Sequence, residues 1–300
     1  MSVRSGHIRY WEYFVVAAEQ GSLSQAAVYL GITQPPVSQG IKRLESEVGG
    51  QLLERRRDGV HPTSLGRTLL PQARVLIRDA QELHNLAEDT LGSGALRIGF
   101  VPSLPNLCAA MIAHEHSFEL DPIYSSGTAA ELVRKVEDGE IDCAIIEDPS
   151  PVGSLVRGKL HELPRLLFGG DETNKSLTTL RDYVLLDDTR AISPAAADRL
   201  ADAFFSRGVN PTVRPRPENA ILAAELGSGR AIALSTPDCP FLAPGFTLGR
   251  QFNLRLRVVV SSHRNSTESG RDIRSILDSV LTKSVRRMES LKRERNDGGE

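Results

Sequence analysis

Residues 21–45 read GSLSQAAVYLGITQPPVSQGIKRLE, and residues 52–63 read LLERRRDGVHPT. The first stretch predicts two short helices, and the second predicts a basic hairpin. Ser22 precedes Gln25 by three residues, the spacing of a capping box, and Gly31 is placed to end that helix one residue after Leu30. The order helix, turn, helix, hairpin is that of a winged helix-turn-helix.

The second helix is predicted to begin at Thr33 or Gln34. Pro35 and Pro36 then fall in its first turn, where a missing N–H costs little. Because the prolines lack the N–H groups that a Thr33 cap would bond, the Thr33 hydroxyl is expected to remain available for phosphate or water. An apolar stripe at helical spacing predicts the buried face, formed by Val37, Ile41, Leu44 and Val48.

The residues left on the opposite face suit reading of a DNA major groove. Gln pairs with adenine, Ser bonds base edges or phosphate, and Lys reaches guanine or the backbone. Asp58-Gly59 predicts a two-residue hairpin turn, and the flanking arginines would meet phosphates or a minor groove. A run of arginines alone is more often a solvated face. The predicted DNA-binding residues are Thr33, Gln34, Pro35, Ser38, Gln39, Lys42, Arg43, Arg55, Arg56 and Arg57.

The stretch from Tyr10 to Ala73 resembles the N-terminal region of the LysR-type transcriptional regulators. Three places depart from that family's pattern: Pro36 replaces a usual Ala, Gly40 a common Gln, and Gly49-Gly50 a common Leu-Gly. Gly40 costs about 1 kcal/mol relative to Ala in a helix interior, which indicates close approach of another surface. The residues in register are Phe14, Gly21, Ser22, Ala26, Ala27, Leu30, Gln34, Pro35, Val37, Ser38, Ile41, Leu44, Glu45, Arg55, Thr63 and Gly66.

Length and composition are compatible with a multi-domain regulator. Three hundred residues predict two or three compact units, and the formal net charge is −2, so any positive field must come from clustering. No apolar run is long enough to cross a membrane and the N-terminus lacks a signal-peptide core, from which we expect a cytoplasmic protein. The predicted DNA-binding domain spans residues 1–63.

Residues 64–94 are predicted to form a linker helix and a hinge. Thr63 can cap a helix running from Ser64 toward Leu91, and residues 91–94 read as a flexible break. This helix either packs on its own domain or has another partner, which the resemblance implies is the same helix of a second subunit, in a homodimer or homotetramer. Its apolar stripe comprises Leu65, Leu69, Leu76, Ala80, Leu83 and Ala87.

Residues 95–300 alternate between strand and helix patterns, which predicts parallel sheets with helices on both faces. Strands are predicted at 96–101, 141–146, 183–186, 231–234 and 254–260, and helices at 129–138, 194–206, 219–226 and 271–284. The resemblance implies a two-lobed α/β effector domain similar to a solute-binding protein. Its first lobe would span residues 95–162 and 263–285 and its second lobe residues 163–262, before a charged tail at 286–300 that is expected to fray. The whole is an α+β multi-domain fold.

Ligands of parallel sheets lie beyond the carboxyl ends of strands, near the N-termini of helices. That rule and the resemblance select the same loops, and a small carboxylate or other anion is the expected effector. For any one Ser or Thr, a role as a helix cap is an equal alternative. The predicted effector-binding residues are Pro102, Ser103, Leu104, Gly127, Thr128, Ser193, Ser235 and Thr236.

The resemblance implies allosteric control of transcription, in which a ligand favours one closure of the cleft. That closure would change how a two-fold symmetric assembly binds double-stranded DNA, at a site that is expected to be pseudo-palindromic. The sequence does not choose between activation and repression, nor identify the effector or the operator.

Other chemistry is weighed and disfavoured. A redox sensor that uses Cys108, Cys143 and Cys239 is an alternative, but no two of them lie close in sequence and no basic residue adjoins them. A metal site at His114 and His116 is disfavoured because that spacing on a helix points the rings apart. A cytoplasmic two-lobed binding protein or enzyme would lack the wing, and the sequence shows no catalytic motif. We therefore expect no cofactor, no metal and no enzymatic activity.

Overall fold

The computed structural model describes residues 6–90, 95–115, 118, 121–169, 183–239, 246–261 and 272–297. It divides into two compact units, Met1–Gly94 and Ala95–Glu300. The predicted hinge at residues 91–94 lies outside the described residues.

Three helices build the core of the first unit: α1 at Gly6–Gln20, α2 at Leu23–Tyr29 and α3 at Gln34–Val48. Ser22 caps α2 by accepting a hydrogen bond from the Gln25 backbone N–H, as predicted. In α3, the predicted stripe is buried at its first three positions and half-buried at Val48. Phe14 of α1 is fully buried among the apolar residues that hold α1 and α3 together.

The wing is an antiparallel hairpin of β1 at Leu53–Arg56 and β2 at Gly59–Pro62. Arg56 lies opposite Gly59, so the two-residue turn is Arg57-Asp58 and the prediction of Asp58-Gly59 is wrong by one residue. The cause is a tertiary contact: the N–H of Val60 donates to the Gly21 carbonyl at 2.8 Å. A Cβ at position 59 would lie 2.6 Å from that carbonyl oxygen, so Gly59 is needed inside the strand.

Helix α4 runs from Ser64 to Thr90. Thr63 caps it, since its hydroxyl accepts from the Gly66 N–H at 3.0 Å and donates to the Gln51 carbonyl at 2.7 Å. Part of the predicted apolar stripe packs within the unit, and part of it is exposed. Leu69 packs against the core of its own unit, together with Leu70, Ala73 and Ile77, whereas Leu65, Leu76, Leu83 and Ala87 are exposed.

The second unit contains two five-stranded sheets. The first sheet has the order β4-β3-β5-β12-β6. It packs on α5, α6 and α10 around one large apolar core. Its strands are β3 at Leu96–Phe100, β4 at Pro122–Ser126, β5 at Cys143–Glu147, β6 at Val156–Leu163 and β12 at Leu254–Val260; its helices are α5 at Asn106–Ala113, α6 at Ala129–Glu137 and α10 at Ile273–Asp297.

The second sheet has the order β11-β7-β10-β8-β9. Alternate residues of its strands pack on α8 at one face and on α9 at the other, which confirms the prediction of helices on both faces. Its strands are β7 at Leu166–Gly169, β8 at Val184–Leu186, β9 at Thr212–Arg214, β10 at Ala231–Ser235 and β11 at Phe246–Thr247; the helices are α7 at Thr189–Ile192, α8 at Pro194–Phe205 and α9 at Asn219–Gly227.

Three predictions for this unit need correction. The sheets are mixed rather than parallel, since β12 runs antiparallel to β5 and β6, and β7 antiparallel to β10. Strand β12 pairs with β5 and β6 of the first sheet, so the second lobe ends before Leu254 rather than at residue 262. Helix α10 continues to Asp297 and fully buries Met288, so the chain does not fray at residue 286.

None of the helices in the described ranges combines the length and apolar character that crossing a bilayer requires.

Candidate nucleic-acid interface and ligand cavity

Helix α3 presents its predicted reading face to solvent. Gln34, Pro35, Gln39, Lys42 and Arg43 are exposed, and Ser38 is half-buried. Thr33 is the N-cap of α3, and its side chain makes no capping hydrogen bond, as the two prolines predict. All seven residues predicted on or before this helix therefore lie on or beside one accessible surface.

A carboxylate inside the unit ties the wing to α3. Glu45 Oε1 accepts from the backbone N–H groups of Leu52 at 2.8 Å and Leu53 at 3.1 Å. Two otherwise unsatisfied donors at the start of β1 are thus bonded to a residue one turn from the end of α3. Glu45 is one of the residues that match the family pattern, but this role depends on a contact across the fold that the sequence pattern does not show.

The three wing arginines are exposed at and beside the hairpin turn. Arg56 forms an ion pair with Glu54 on the same strand. Arg57 occupies the turn itself, next to Asp58, whose carboxylate lies 3.1 Å from His61 Nε2. The wing therefore offers cationic side chains to a polyanion beside the reading face of α3.

In the second unit, a cavity of about 330 Å³ is lined by residues next to strands of both sheets. It lies beyond the carboxyl ends of β3, β8 and β10, where the rule for parallel strands predicts a ligand. Five of the eight predicted effector-binding residues line it: Pro102, Ser103, Leu104, Ser235 and Thr236.

The other three predicted residues are not among the lining residues of this cavity. Thr128 caps α6 in a complete capping box with Glu131, so the capping interpretation holds for Thr128. The N–H of Gly127 donates to the Phe100 carbonyl at 3.3 Å. Ser193 is buried and its hydroxyl lies 2.9 Å from that of Ser150.

The rule for strand ends does not predict the charged residues of the cavity, which are Arg165, Asp187, Asp188, Arg216 and Asp238. The three carboxylates are held by donors of the chain: Asp187 by the Thr189 N–H and hydroxyl, Asp188 by the Arg216 N–H, and Asp238 by the Leu107 N–H and the Thr236 hydroxyl. The signal available for Arg165 is an arginine directly before the apolar run of residues 166–168.

Arg165 is the most buried of these charges, with 7% of its surface exposed. Glu147 is buried close enough to Arg165 for their charges to interact. Burial of Glu147 raises the pKa of its carboxyl, whereas the positive charge of Arg165 lowers that pKa. A buried guanidinium at a cavity wall is a strong site for a carboxylate, because its fork of N–H groups matches both oxygens.

Comparison with known proteins agrees with this arrangement. Residues 8–67 match the family model described as a bacterial regulatory helix-turn-helix protein of the lysR family. The chain is 35% identical over 238 residues to the nitrogen assimilation regulatory protein nac of Klebsiella aerogenes, which covers 74% of this chain and 76% of that protein. The chain belongs to the LysR family.

Solved structures of LysR-type regulators share the fold along almost the whole chain. The C206 mutant of Corynebacterium glutamicum OxyR aligns with a TM-score of 0.50 at 25% identity and covers 94% of each chain. Full-length CbnR complexed with its target DNA aligns with a TM-score of 0.53 at 20% identity, covering 94% of this chain and 99% of that one. The two-unit α+β fold of a LysR-type regulator is therefore confirmed, and the chain is a DNA-binding transcriptional regulator.

The cysteines of this LysR-type chain do not resemble a reactive pair. Cys108 and Cys143 are buried, and Cys239 is half-buried. Burial raises the pKa of the Cys108 thiol to about 12, which suppresses the thiolate that oxidation requires. Within the described ranges no cluster of three or more His, Cys, Asp or Glu side chains can hold a metal ion; His116 lies outside those ranges.

Proposed function

We propose that this LysR-type regulator binds a pseudo-palindromic operator as a dimer or a dimer of dimers, and that a small carboxylate bound in the second unit controls it. Residues 1–63 bind DNA, residues 64–94 dimerise, and residues 95–300 bind the effector. It acts on the chromosome, in the cytoplasm, and is not an enzyme. The observation that carries the proposal is the exposed row of polar and cationic side chains on α3, beside a cationic wing.

The roles of the DNA-contacting side chains follow from their chemistry. Gln34, Ser38 and Gln39 have donors and acceptors suited to base edges, and Thr33 and Pro35 border them on the first turn of α3. Lys42 and the wing arginines Arg55, Arg56 and Arg57 neutralise phosphates, which raises affinity for any sequence.

The first prediction separates base reading from phosphate binding on DNA taken from directly upstream of the protein's own gene. Ser38→Ala should weaken binding to this duplex about tenfold and leave binding to scrambled DNA unchanged, because a base-edge contact is worth roughly 1–3 kcal/mol. Arg57→Ala should weaken both and lower the slope of log K against log salt by about 1. Fluorescence anisotropy at near-physiological salt measures both.

Ser46→Ala is the matched control, since Ser46 is exposed on the same helix beyond the proposed reading residues. Equal losses on operator and scrambled DNA for Ser38→Ala would contradict base reading by α3.

Helix α4 supports dimerisation through its exposed apolar residues. Leu76 is 41% exposed and Leu83 is 69% exposed on the surface of the single chain. Leu65 and Ala87 are exposed on the same helix, so apolar area is left without cover along much of its length. A second α4 would remove that area from water, at roughly 25 cal/mol per Å².

The second prediction concerns this contact. Leu83→Glu should shift the protein from dimer or tetramer toward monomer, because the charge would be buried in an apolar helix pair. Sedimentation velocity over a concentration series measures the shift. Val28→Glu, which places the same charge at an apolar residue of α2 that is 81% exposed, is the control and should leave the mass unchanged. An unchanged mass for Leu83→Glu would argue against α4 as the interface.

The cavity supports an anionic effector. Its three carboxylates are bonded to donors of the chain, and the Arg216 guanidinium donates to the Leu234 carbonyl at 3.2 Å. Arg165 therefore stands as the buried cation for a ligand carboxylate, with Ser103, Ser235 and Thr236 as polar neighbours, and with Pro102 and Leu104 as apolar walls. The capping role of Thr128 and the burial of Ser193 argue against direct ligand contact by those two residues. Gly127 is not among the residues that line the cavity.

The third prediction tests Arg165 with a set of simple acids, namely propionate, succinate and glutamate at millimolar concentration. At least one should raise the melting temperature of the wild-type protein, because a ligand that binds the native state alone stabilises it. Arg165→Gln should abolish that rise, whereas Arg157→Gln, at an exposed arginine of β6, should retain it. An equal rise in Arg165→Gln would place the carboxylate elsewhere.

A further inference from the structure

A groove of about 420 Å³ lies between α1 and α3 in the first unit. Its α3 wall is one face of that helix, since Pro36, Gln39, Gly40 and Arg43 follow the spacing i, i+3, i+4 and i+7. Its α1 wall consists of Arg9, Tyr10 and Tyr13. The groove is thus continuous with the proposed DNA-reading face, which contains Gln39 and Arg43, and the inference below rests on that proposed function.

Gly40 brings the two tyrosine rings against α3. A Cβ at position 40 would lie 2.6 Å from Tyr13 Cδ2 and 2.8 Å from Tyr10 Cδ1, distances that real Cβ atoms do not show. The Gln that is common at this position in the family cannot be accommodated here with the rings in place. Glycine lowers the intrinsic stability of α3, but its lack of a side chain allows a specific contact between α1 and α3.

That contact places the Tyr10 hydroxyl beside the reading face. Arg43 Nη1 donates a hydrogen bond to Tyr10 Oη at 3.1 Å. The Tyr10 ring is itself fixed, because it packs on Gly40 and lies 6.4 Å from the Tyr13 ring, centroid to centroid. An exposed arginine loses substantial side-chain entropy when it binds a partner. Because the hydrogen bond to Tyr10 already orders the Arg43 side chain, less entropy is lost when Arg43 binds DNA.

We propose that Tyr10 is a specificity-positioning residue that orients Arg43 toward a base edge in the major groove. Arg43 is the group that contacts DNA, and the chemistry of a guanidinium favours the O6 and N7 acceptors of guanine. Tyr10 acts through Arg43 without touching DNA itself. Gly40 supplies the space that lets Tyr10 reach Arg43, so the chain offers DNA a positioned arginine in place of the Gln that is usual at position 40.

The test begins with selection of a random-sequence DNA duplex pool by the full-length wild-type chain. Dissociation constants are then measured for the selected sequence, for its single base-pair substitutions and for scrambled DNA. Tyr10→Phe keeps the ring and removes only the hydroxyl. It should weaken binding to the selected sequence about fivefold, as expected for one exposed hydrogen bond to a charged group, and leave scrambled DNA unchanged.

A double-mutant cycle separates positioning from a structural role. Tyr10→Phe and Arg43→Ala should flatten the preference at the same base pair, and Tyr10→Phe should cause no further loss in the Arg43→Ala background. Tyr13→Phe, which removes a hydroxyl from the neighbouring ring, is the matched control and should behave as wild type. Gly40→Ala should resemble Tyr10→Phe, because the added Cβ displaces the Tyr10 ring.

Four results would overturn the inference while leaving DNA binding intact. The first two are wild-type affinity in Tyr10→Phe, and affinity losses of Tyr10→Phe and Arg43→Ala that multiply in the double variant. The other two are loss of base preference at different base pairs in the two single variants, and no loss of base preference in Arg43→Ala while Ser38→Ala still loses it at one base pair. A wild-type chain that enriches no sequence would instead overturn the proposed function, and this inference with it.

Discussion

The close packing of α1 against α3 is the constraint on which the DNA-binding unit depends. Phe14 and Leu44 are buried between these helices, and Gly40 allows two tyrosine rings to approach the α3 backbone. A helix held in this way on its inner side can keep its outer side polar, because its stability comes from burial and not from the exposed residues. The exposed residues of α3 that we propose contact DNA can consequently vary without loss of this packing.

The same constraint extends from α3 to the wing and the linker helix. Glu45 binds the first N–H groups of β1, Gly21 binds the N–H of Val60 in β2, and Thr63 joins the end of the wing to the start of α4. A Cβ at Gly66 would collide with the Leu52 carbonyl, so a glycine at this position lets the first turn of α4 pack against the segment just before β1. Helix α3, the wing and the start of α4 are therefore linked by hydrogen bonds and packing. A displacement of α4 would be transmitted to the residues that we propose contact DNA.

In the second unit, strand direction places the cavity. Strands β3, β8 and β10 end at the cavity. Of its charged residues, Asp187 and Asp188 follow β8 and Asp238 follows β10. Arg216 follows β9, and Arg165 directly precedes β7. Most of these charged side chains make hydrogen bonds within the protein and so form fixed parts of the cavity wall. Arg165 differs because it is buried beside Glu147, so a ligand carboxylate would compete with Glu147 for its positive charge.

Local chemistry in the sequence predicted the structure well wherever neighbouring residues decide it. The caps at Ser22 and Thr63, the buried stripe of α3 and the strand at Leu254–Val260 depend on short-range patterns and were found. Predictions were wrong where residues distant in sequence decide the structure. The wing turn moves by one residue because the Gly21 carbonyl accepts a hydrogen bond from the Val60 N–H. Strand β12 belongs to the first sheet because it pairs with β5 and β6. Five of the eight predicted effector-binding residues line the cavity, because strand ends can be read from short-range patterns. Arg165 could not be predicted, because its place in the cavity wall depends on residues distant in sequence.

We propose that two copies of α3, held by a symmetric pair of α4 helices, read one operator. Hydroxyl-radical footprinting of the wild-type protein on its selected DNA should then give two protected patches related by two-fold symmetry. We expect their centres to lie about 10 base pairs, or a multiple of that, apart. A single short asymmetric footprint at saturating protein would rule out this symmetric arrangement.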